Sequence, residues 1–202
     1  MLSKNIPTQT PESGYYHVWI LATDNQPFFI NSRDKAFFIS LFQDQLSHST
    51  KLEDEVVIPN YADAIDLLAY SLTPTGVHLL VHGEDEHSVG ALGQTLLTEY
   101  IDYLTLQEQT DELPFDSIFT YERLLDVNDA FEMSLDLHLM HGDWRNDRYS
   151  SIGFYLDDRR GDWMRPWRMT AVYDNSPAAY LESLEGELTQ RLDARMPNFL
   201  ET

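Results

Sequence analysis

The clearest chemical pattern in the chain is the histidine spacing of GVHLLVHG at 76–83. Alternate side chains of a strand point the same way and lie about 6–7 Å apart, so histidines at positions i and i+2 can bind one divalent cation between them. His82 lies four residues beyond His78, too far to share an ion directly, and Gly76 occupies the place two residues before His78. The predicted strand therefore presents one imidazole where a pair would be needed, and His82 is interpreted as an exposed strand-end histidine.

A second group of metal-binding residue types lies further along the chain. His138 and His141 are three residues apart in a predicted helix, and Asp136 and Asp143 lie nearby. Helical residues three or four apart can share a face, so a displaced metal site that also uses His78 is one hypothesis. None of the recognised zinc spacings is present. The preferred interpretation is that His138 and His141 are surface histidines.

Basic and aromatic residues concentrate in the segment 143–169. It holds six of the thirteen basic residues, all arginine, and three of the four tryptophans. Arginine interleaved with aromatic rings suits stacking on unpaired bases and forked contacts to phosphate. Five aspartates reduce the local charge to 6 − 5 = +1, so local Arg–Asp pairing with packed tryptophans is an equal alternative. The candidate DNA contacts are Arg145, Arg148, Arg159, Arg160, Trp144 and Trp163.

Composition limits the remaining options. With 202 residues, 43% of them hydrophobic, the chain can bury one sizeable core. The absence of cysteine excludes disulfides and thiolate metal sites. A net charge of −21 repels polyanions and argues against nucleic acid, although solubility alone can explain it. No apolar run approaches a membrane span or a signal peptide, so we expect a soluble cytoplasmic protein without a membrane partner.

Hydrophobic periodicity and turn residues predict the order strand, helix, strand, strand, helix, strand, helix. A connecting loop is predicted around 51–60. The pattern is that of an α+β, ferredoxin-like βαββαβ sandwich with helices on one face of an antiparallel sheet. We expect a flexible lead-in at 1–13, one α+β domain at 14–160, and a C-terminal helical extension at 161–202 packed on that domain. The predicted helix starts are Asn31 or Ser32, Ser88, the residues after Asn128, and Ser176 with Pro177.

This order resembles the single-tyrosine HUH transposases of the insertion-sequence and REP-associated type. The likeness is carried by YYHVWILATDNQPFF at 15–29 and LLAYSLTPTGVHLLVHG at 67–83. Family members typically contain Tyr-His-Val in the first strand and Ala-Tyr-x-Leu-Met-Pro-Asn-His-Val-His-Leu-Leu-Val in the later pair. The weaker matches are LDLHLMHGD at 135–143 and NDRYSSIGFYL at 146–156. Together these segments extend the resemblance over 14–160, a transposase-like domain in which His17 would have a structural role.

The resemblance implies a Mg²⁺ or Mn²⁺ site built from two strand histidines and a third ligand one helical turn after a nucleophilic tyrosine. In this sequence the two histidine positions are Gly76 and His78, the tyrosine position is Asp136, and the third ligand position is Met140. Only His78 is retained, as a remnant of the metal site. The resemblance therefore implies a transposase fold without intact catalytic residues and without its metal cofactor.

Three hypotheses follow for function. The leading one is a transposase-like DNA-binding protein with a regulatory role and no strand cleavage. It would bind single-stranded or hairpin DNA, and a homodimer is compatible with it. The second is an acidic protein-interaction module with no nucleic-acid role. The third is an active DNA transposase, cleaving and joining single strands, whose unorthodox nucleophile is Asp136, Tyr121 or Tyr149; Tyr155 is a further tyrosine near the aligned position.

Overall fold

The protein was analysed as a computed structural model, which describes residues 12–48, 52–53, 56–57, 60–108, 117–171 and 175–195. Most of the predicted lead-in at 1–13 and part of the extension at 161–202 lie outside these residues. No helix within the described ranges combines the length and the apolar character that crossing a membrane requires.

The fold is mixed α+β and is built on a four-stranded antiparallel sheet. Its strands follow the predicted segments closely, and their spatial order is β4-β5-β1-β6. A two-stranded hairpin occupies part of the segment that was predicted to be a loop. The strands are β1 (Gly14–Ala22), β2 (Leu52–Glu53), β3 (Val56–Val57), β4 (Ile65–Thr73), β5 (Gly76–Gly83) and β6 (Ser117–Arg123).

Six α-helices lie within the described residues, and two single-turn 3-10 helices cover Thr23–Asn25 and Trp144–Asn146. The longest four coincide with the helical segments predicted from hydrophobic spacing. The helices are α1 (Ser32–Leu46), α2 (Glu86–Glu108), α3 (Val127–His138), α4 (Ile152–Tyr155), α5 (Trp167–Thr170) and α6 (Pro177–Arg195).

The helix starts show which capping predictions were right. Asn31, one of the two predicted caps of α1, is the observed one, and it caps the helix in a reciprocal arrangement with Asp34. Ser88 was predicted to cap α2, but the helix begins at Glu86, and Asp85 accepts hydrogen bonds from the backbone and side chain of Ser88. The prediction for α3 was also late, because Asp126 caps that helix through two backbone N–H groups. In both errors an aspartate upstream caps the helix more effectively than the polar residue that had been chosen.

The sheet is buried on both faces, which corrects the prediction that helices cover only one. Helices α1 and α2 pack on one face, against side chains such as Val18 and Leu79. The opposite face contacts α3 to α6 through Leu68, Ala69 and Leu80. A register shift between Leu67 and Ala69 places Leu68 and Ala69 on the second face. The nearly continuous apolar sequence of β4 is explained by this burial on both sides.

A buried chain of hydrogen bonds joins the second layer of helices to the sheet. The His138 ring lies between the hydroxyl oxygens of Tyr180 in α6, 2.8 Å from Nδ1, and Ser151, 2.7 Å from Nε2. Tyr180 also contacts Ser134, whose hydroxyl donates to a backbone carbonyl of α3. Ser151 in turn accepts a hydrogen bond from the backbone N–H of Tyr70 in β4. The surface position predicted for His138 is therefore wrong, since this side chain is fully buried.

The proton positions in this chain follow from its donors. Ser134 donates to the carbonyl of Phe131, so its oxygen must accept from Tyr180, and Tyr180 must accept from Nδ1–H of His138. Nε2 of His138 then accepts the Ser151 hydroxyl proton. A neutral imidazole satisfies the contacts of 2.9 Å and shorter and leaves the 3.3 Å contact between the Ser151 hydroxyl and the Tyr70 carbonyl without a proton. A neutral ring agrees with burial, which lowers the pKa of His138 to about 3.

Removing the hydroxyl at the centre of this chain should destabilise the protein. Tyr180→Phe keeps the ring but leaves Nδ1–H of His138 buried without an acceptor, at a cost of about 1–3 kcal/mol in the free energy of unfolding. Tyr121→Phe is the matched control, because the Tyr121 hydroxyl makes an exposed hydrogen bond with Glu86. Urea denaturation should show a lower midpoint for Tyr180→Phe alone; equal midpoints for the two variants would contradict the assignment.

Candidate functional site

The retained histidine of the transposase-like pattern lies on the second face of the sheet. His78 in β5 is paired across the strands with Ser71 of β4 and Trp19 of β1. Its Nδ1 lies 3.3 Å from Nε2 of His17 in β1, and Nδ1 of His17 lies 3.6 Å from a carboxylate oxygen of Glu122 in β6. Three adjacent strands thus contribute one polar line, Glu122–His17–His78. The sequence missed this neighbour, because spacing within one strand gives no information about the residues that pairing brings alongside.

Both imidazoles of this line are neutral at physiological pH. Burial, and then the charge of His17, lower the pKa of His78 to about 4. Burial also lowers the pKa of His17, against the opposing effects of its hydrogen bond and charge interaction with Glu122. Two neutral imidazoles can share one N–H···N hydrogen bond. The contact between His17 and His78 therefore needs no metal ion to explain it.

Gly76 is required by the close approach of β1. It is paired with Leu21, and a Cβ atom added to it would collide with the carbonyl oxygen of Ile20 and lie 2.9 Å from the Cα of Leu21. The carbonyl oxygen of Ile20 belongs to the backbone of a central strand, so it cannot move without shifting the sheet. A histidine at this position is therefore incompatible with the observed strand pairing, and the metal-binding pair of the transposases has no room here.

The other two positions assigned by the resemblance make contacts of their own. The Asp136 carboxylate forms an ion pair with Arg191 of α6. Met140 follows the end of α3, and its side chain is 40% exposed. No group of three or more histidine, aspartate or glutamate side chains arranged to hold a metal ion occurs among the described residues.

The alternative tyrosines do not gather at His78. Tyr121 is paired with Val18, and His78 is paired with Trp19. Val18 and Trp19 are consecutive residues of β1, so Tyr121 and His78 lie on opposite faces of the sheet. Tyr155 is buried and donates its hydroxyl proton to the carbonyl of Leu68.

Tyr149 packs at the edge of the first core, with the Lys35 ammonium group 4.8 Å from its ring centroid. Asp147 and His141 lie nearby and line, with Asp143, Arg148 and Tyr149, an open cleft of about 380 Å³. Of the displaced metal site considered from the sequence, only His141 and Asp143 border this cleft, because His138 is buried in the hydrogen-bond chain and Asp136 is paired with Arg191.

Most arginine and tryptophan side chains of the segment 143–169 make contacts within the protein. Trp144 and Trp163 are 7% and 6% exposed and belong to the two cores, which favours a structural role for both rings. Arg145 lies over Trp144 and is paired with Glu185. Arg159 donates to the carbonyl oxygens of Ser150 and Arg148.

Two of the six DNA-contact candidates have no ion pair among the described residues, although the Arg148 guanidinium lies 5.9 Å from the ring centroid of Tyr149. Arg148 and Arg160 are exposed and have no acidic partner among the described residues. Arg165 and Arg168, from the same segment, are instead both paired with Asp66. The local Arg–Asp pairing considered from sequence is therefore not observed among the described residues, because the acids paired with Arg145, Arg165 and Arg168 come from distant elements.

Comparisons with known proteins give no relative for this chain. Neither the models of known families, nor the curated proteins, nor the solved structures contain a match.

A methyl group at Gly76 should disturb the centre of the sheet. Gly76→Ala is expected to lower the free energy of unfolding by about 1–3 kcal/mol, because the added atom overlaps backbone. Gly186→Ala in α6 is the control, since its added methyl meets no atom within 4 Å, and alanine should be neutral or stabilising by up to about 1 kcal/mol. Chemical denaturation measures both, and an unchanged stability of Gly76→Ala would refute the crowding argument.

Acid should weaken the protein through His78. The pKa of this group is about 4 in the folded chain and 6.5 at its ordinary value, so between these values the unfolded chain binds more protons. Stability carried by the neutral ring is therefore lost as pH falls through this window. The stability of the unmodified protein relative to His78→Asn, measured by urea denaturation, should decline from about pH 7 to about pH 4. If the free energies of unfolding of the unmodified protein and His78→Asn change equally with pH, burial does not hold His78 neutral.

Proposed function

We propose that this protein is a transposase-like DNA-binding protein that has lost strand cleavage and retains a regulatory role. The observation that carries the loss of cleavage is Gly76, whose contact with the backbone of β1 leaves no space for the second metal-binding histidine. The binding part rests on the two exposed arginines of the segment 143–169.

The strand order supports the ferredoxin-like assignment on which this proposal depends. In the order β4-β5-β1-β6, the first strand of the chain lies between the third and fourth of the four sheet strands, and the second is at the edge. Two helices connect these strands over one face, as expected for a split βαβ arrangement. The strand that carries the resemblance to the single-tyrosine HUH transposases is β5, which bears His78 in the interior of this sheet.

The environment of Asp136 supports an inactive centre. Cleavage by these transposases needs a nucleophile that attacks a phosphate polarised by a metal ion. The carboxylate at the tyrosine position carries negative charge and is already paired with Arg191. The metal ion of the family mechanism lacks its second histidine, because Gly76 occupies that position. The nucleophile is also lacking, because Asp136 occupies the tyrosine position. This weakens the hypothesis of an unorthodox nucleophile at Asp136.

The exposed arginines provide the contacts proposed for DNA. Arg148 borders the open cleft, and Arg160 is exposed beside the structural residue Arg159. Guanidinium groups bind phosphate with forked hydrogen bonds, and each contact releases counterions from the nucleic acid. Because the chain as a whole carries a net charge of −21, binding is expected only at low salt and through this local surface.

A protein-interaction module is the second candidate, and the ion pairs favour it. Arg145, Arg168 and Arg191 are each paired with an acidic side chain, so the strongly acidic surface keeps few free cations with which to hold phosphate. A basic protein partner would meet the complementary charge. This candidate predicts no retention of DNA at any salt concentration.

The loss of cleavage predicts that no covalent product forms. Purified protein incubated with a single-stranded DNA hairpin and Mn²⁺ should give no protein–DNA adduct on a denaturing gel. An adduct would refute the proposal, and its disappearance in Asp136→Asn, Tyr121→Phe or Tyr149→Phe would identify the nucleophile.

The binding part predicts a salt-dependent shift of the same hairpin on a native gel. Replacing both Arg148 and Arg160 by alanine should weaken binding and reduce the salt slope by about one for each phosphate that the protein no longer neutralises. Arg33→Ala is the matched control, because Arg33 is an exposed arginine on α1 outside this surface. Absence of any shift at low salt would instead support the acidic protein-interaction module.

A further inference from the structure

The sheet has two edges, and the described residues cover them differently. At the β4 edge, the Leu72 N–H donates to the Tyr149 carbonyl at 2.9 Å, and the Arg165 N–H donates to the Leu67 carbonyl at 2.8 Å. The segment that contains Tyr149 and Arg165 thus occupies outer hydrogen-bonding groups of β4. At the opposite edge, β6 is paired only with β1 among the described residues. An uncovered edge is a template on which another strand can pair.

The hydrogen-bond alternation shows which backbone groups of β6 point outward. The Leu124 N–H donates to the Tyr15 carbonyl at 2.9 Å, and this pair continues the register of β1 with β6. Bonded positions alternate in an antiparallel pair, so the even-numbered residues of β6 bond to β1. The N–H and C=O groups of Phe119 and Tyr121 therefore point away from β1. They have no backbone partner within the part of the chain that the structure describes.

The sequence of β6 lacks the usual protection of a sheet edge. Lysine, proline and β-bulges discourage pairing with another strand. Strand β6 has the sequence SIFTYER over Ser117–Arg123 and pairs with β1 without a register shift. Its charged residues, Glu122 and Arg123, lie at one end, and Ile118 near the other end is 53% exposed. Regular backbone and exposed apolar surface therefore occur together at this edge.

Acidic side chains lie beside this edge on both faces of the sheet. Glu122 is paired with His17, which places it on the second face, and its side chain is 56% exposed. On the first face, Glu86 of α2 accepts a hydrogen bond from the Tyr121 hydroxyl at 3.2 Å. Both carboxylates are near the C-terminal half of β6, whereas Ile118 lies in the N-terminal half. The edge thus has an acidic half and an apolar half.

We propose that β6 binds an extended basic segment of a partner protein by antiparallel strand addition. The outward N–H and C=O groups of Phe119 and Tyr121 pair with the backbone of that segment, whose side chains alternate between the two faces. The side chains opposite Tyr121 and Glu122 lie beside Glu86 and Glu122, where lysine or arginine complements the charge. Those opposite Ile118 and Phe119 are apolar.

Charge favours this partner over a second copy of the chain. Two copies of net charge −21 repel each other, and Arg123, the basic residue of β6, is already paired with Glu12 at 3.6 Å. A basic segment instead meets complementary charge. The arginines proposed to contact DNA belong to the segment 143–169, which covers the β4 edge across the sheet. Binding at β6 is therefore independent of the proposed DNA contacts.

Fluorescence anisotropy with a labelled peptide tests this proposal. The peptide Ser-Lys-Lys-Thr-Val-Ile-Ser, paired antiparallel, places its lysines opposite the acidic half of β6 and Val-Ile opposite the apolar half. It should bind saturably at one site per chain, and the peptide Ser-Glu-Glu-Thr-Val-Ile-Ser should not bind. Glu122→Lys should weaken binding of the lysine peptide about threefold to tenfold, because an attraction becomes a repulsion.

Glu182→Lys is the matched control for the charge reversal. Glu182 is an exposed glutamate on α6, so this variant changes the net charge equally and should bind the peptide as the unmodified protein does. Thermal unfolding without peptide verifies that both variants are folded. Equal weakening by the two variants, or equal binding of the lysine and glutamate peptides, would overturn the proposal, as would failure of the lysine peptide to bind.

Amide hydrogen exchange identifies the backbone groups that take part. In the free protein, the N–H groups of Phe119 and Tyr121 should exchange faster than that of Thr120, which bonds to β1. The lysine peptide should slow the exchange of Phe119 and Tyr121 and leave Thr120 unchanged. Peptide binding without this protection would contradict strand addition.

Protection of Phe119 and Tyr121 in the free protein would also overturn the proposal. Protection that grows with protein concentration would identify a second copy of the chain as the occupant of β6. Protection that is independent of concentration would identify another segment of the same chain.

Discussion

The second layer of the fold depends on the buried imidazole of His138. This ring connects α3 and α6 to the serine that in turn bonds the backbone of β4, and burial holds it neutral. Apolar packing alone is nondirectional, whereas hydrogen bonds between hydroxyl and imidazole groups fix the direction of each contact. His138 therefore adds a directional link between α3, α6 and the sheet to the apolar packing of the second face. The same chain explains why a polar residue lies at the centre of an otherwise apolar cluster.

That second layer also fixes the contacts of the residues near His78. Two residues of α3 have different partners. His138 is buried and hydrogen-bonded to Tyr180, whereas Asp136 forms an ion pair with Arg191 of α6. On the sheet itself, His78 contacts His17, which in turn contacts Glu122, while Gly76 permits close contact with β1. His78 and Asp136 therefore both make contacts within the protein, whereas Met140 is exposed.

The local sequence was sufficient for most of the secondary structure. Alternating and continuous apolar runs predicted the four main strands, and helical spacing predicted the four long helices, because burial on one side imposes the period of the element on its own residues. Helix starts were less certain, since several polar residues compete to cap the same turn, as Asp85 and Ser88 do. The pairing of Leu52–Glu53 with Val56–Val57 was missed because two strands of two residues each carry too few positions for any period to be detected. The number of covered faces was also misjudged, because an apolar run in β4 does not reveal which elements will cover it.

The sequence by itself determined the class of the fold, the absence of cysteine chemistry, the acidic charge and the absence of a histidine two residues before His78, since each of these is a property of residue type or of spacing within one segment. Tertiary structure alone decided which side chains meet across segments. It placed His17 beside His78, buried His138, paired the arginines with acids from distant elements, and brought His141 and Asp147 within 3.5 Å of each other. The physical reason is that spacing along the chain fixes geometry only over a few residues, whereas strand register and helix packing set the distances between groups that are far apart in sequence.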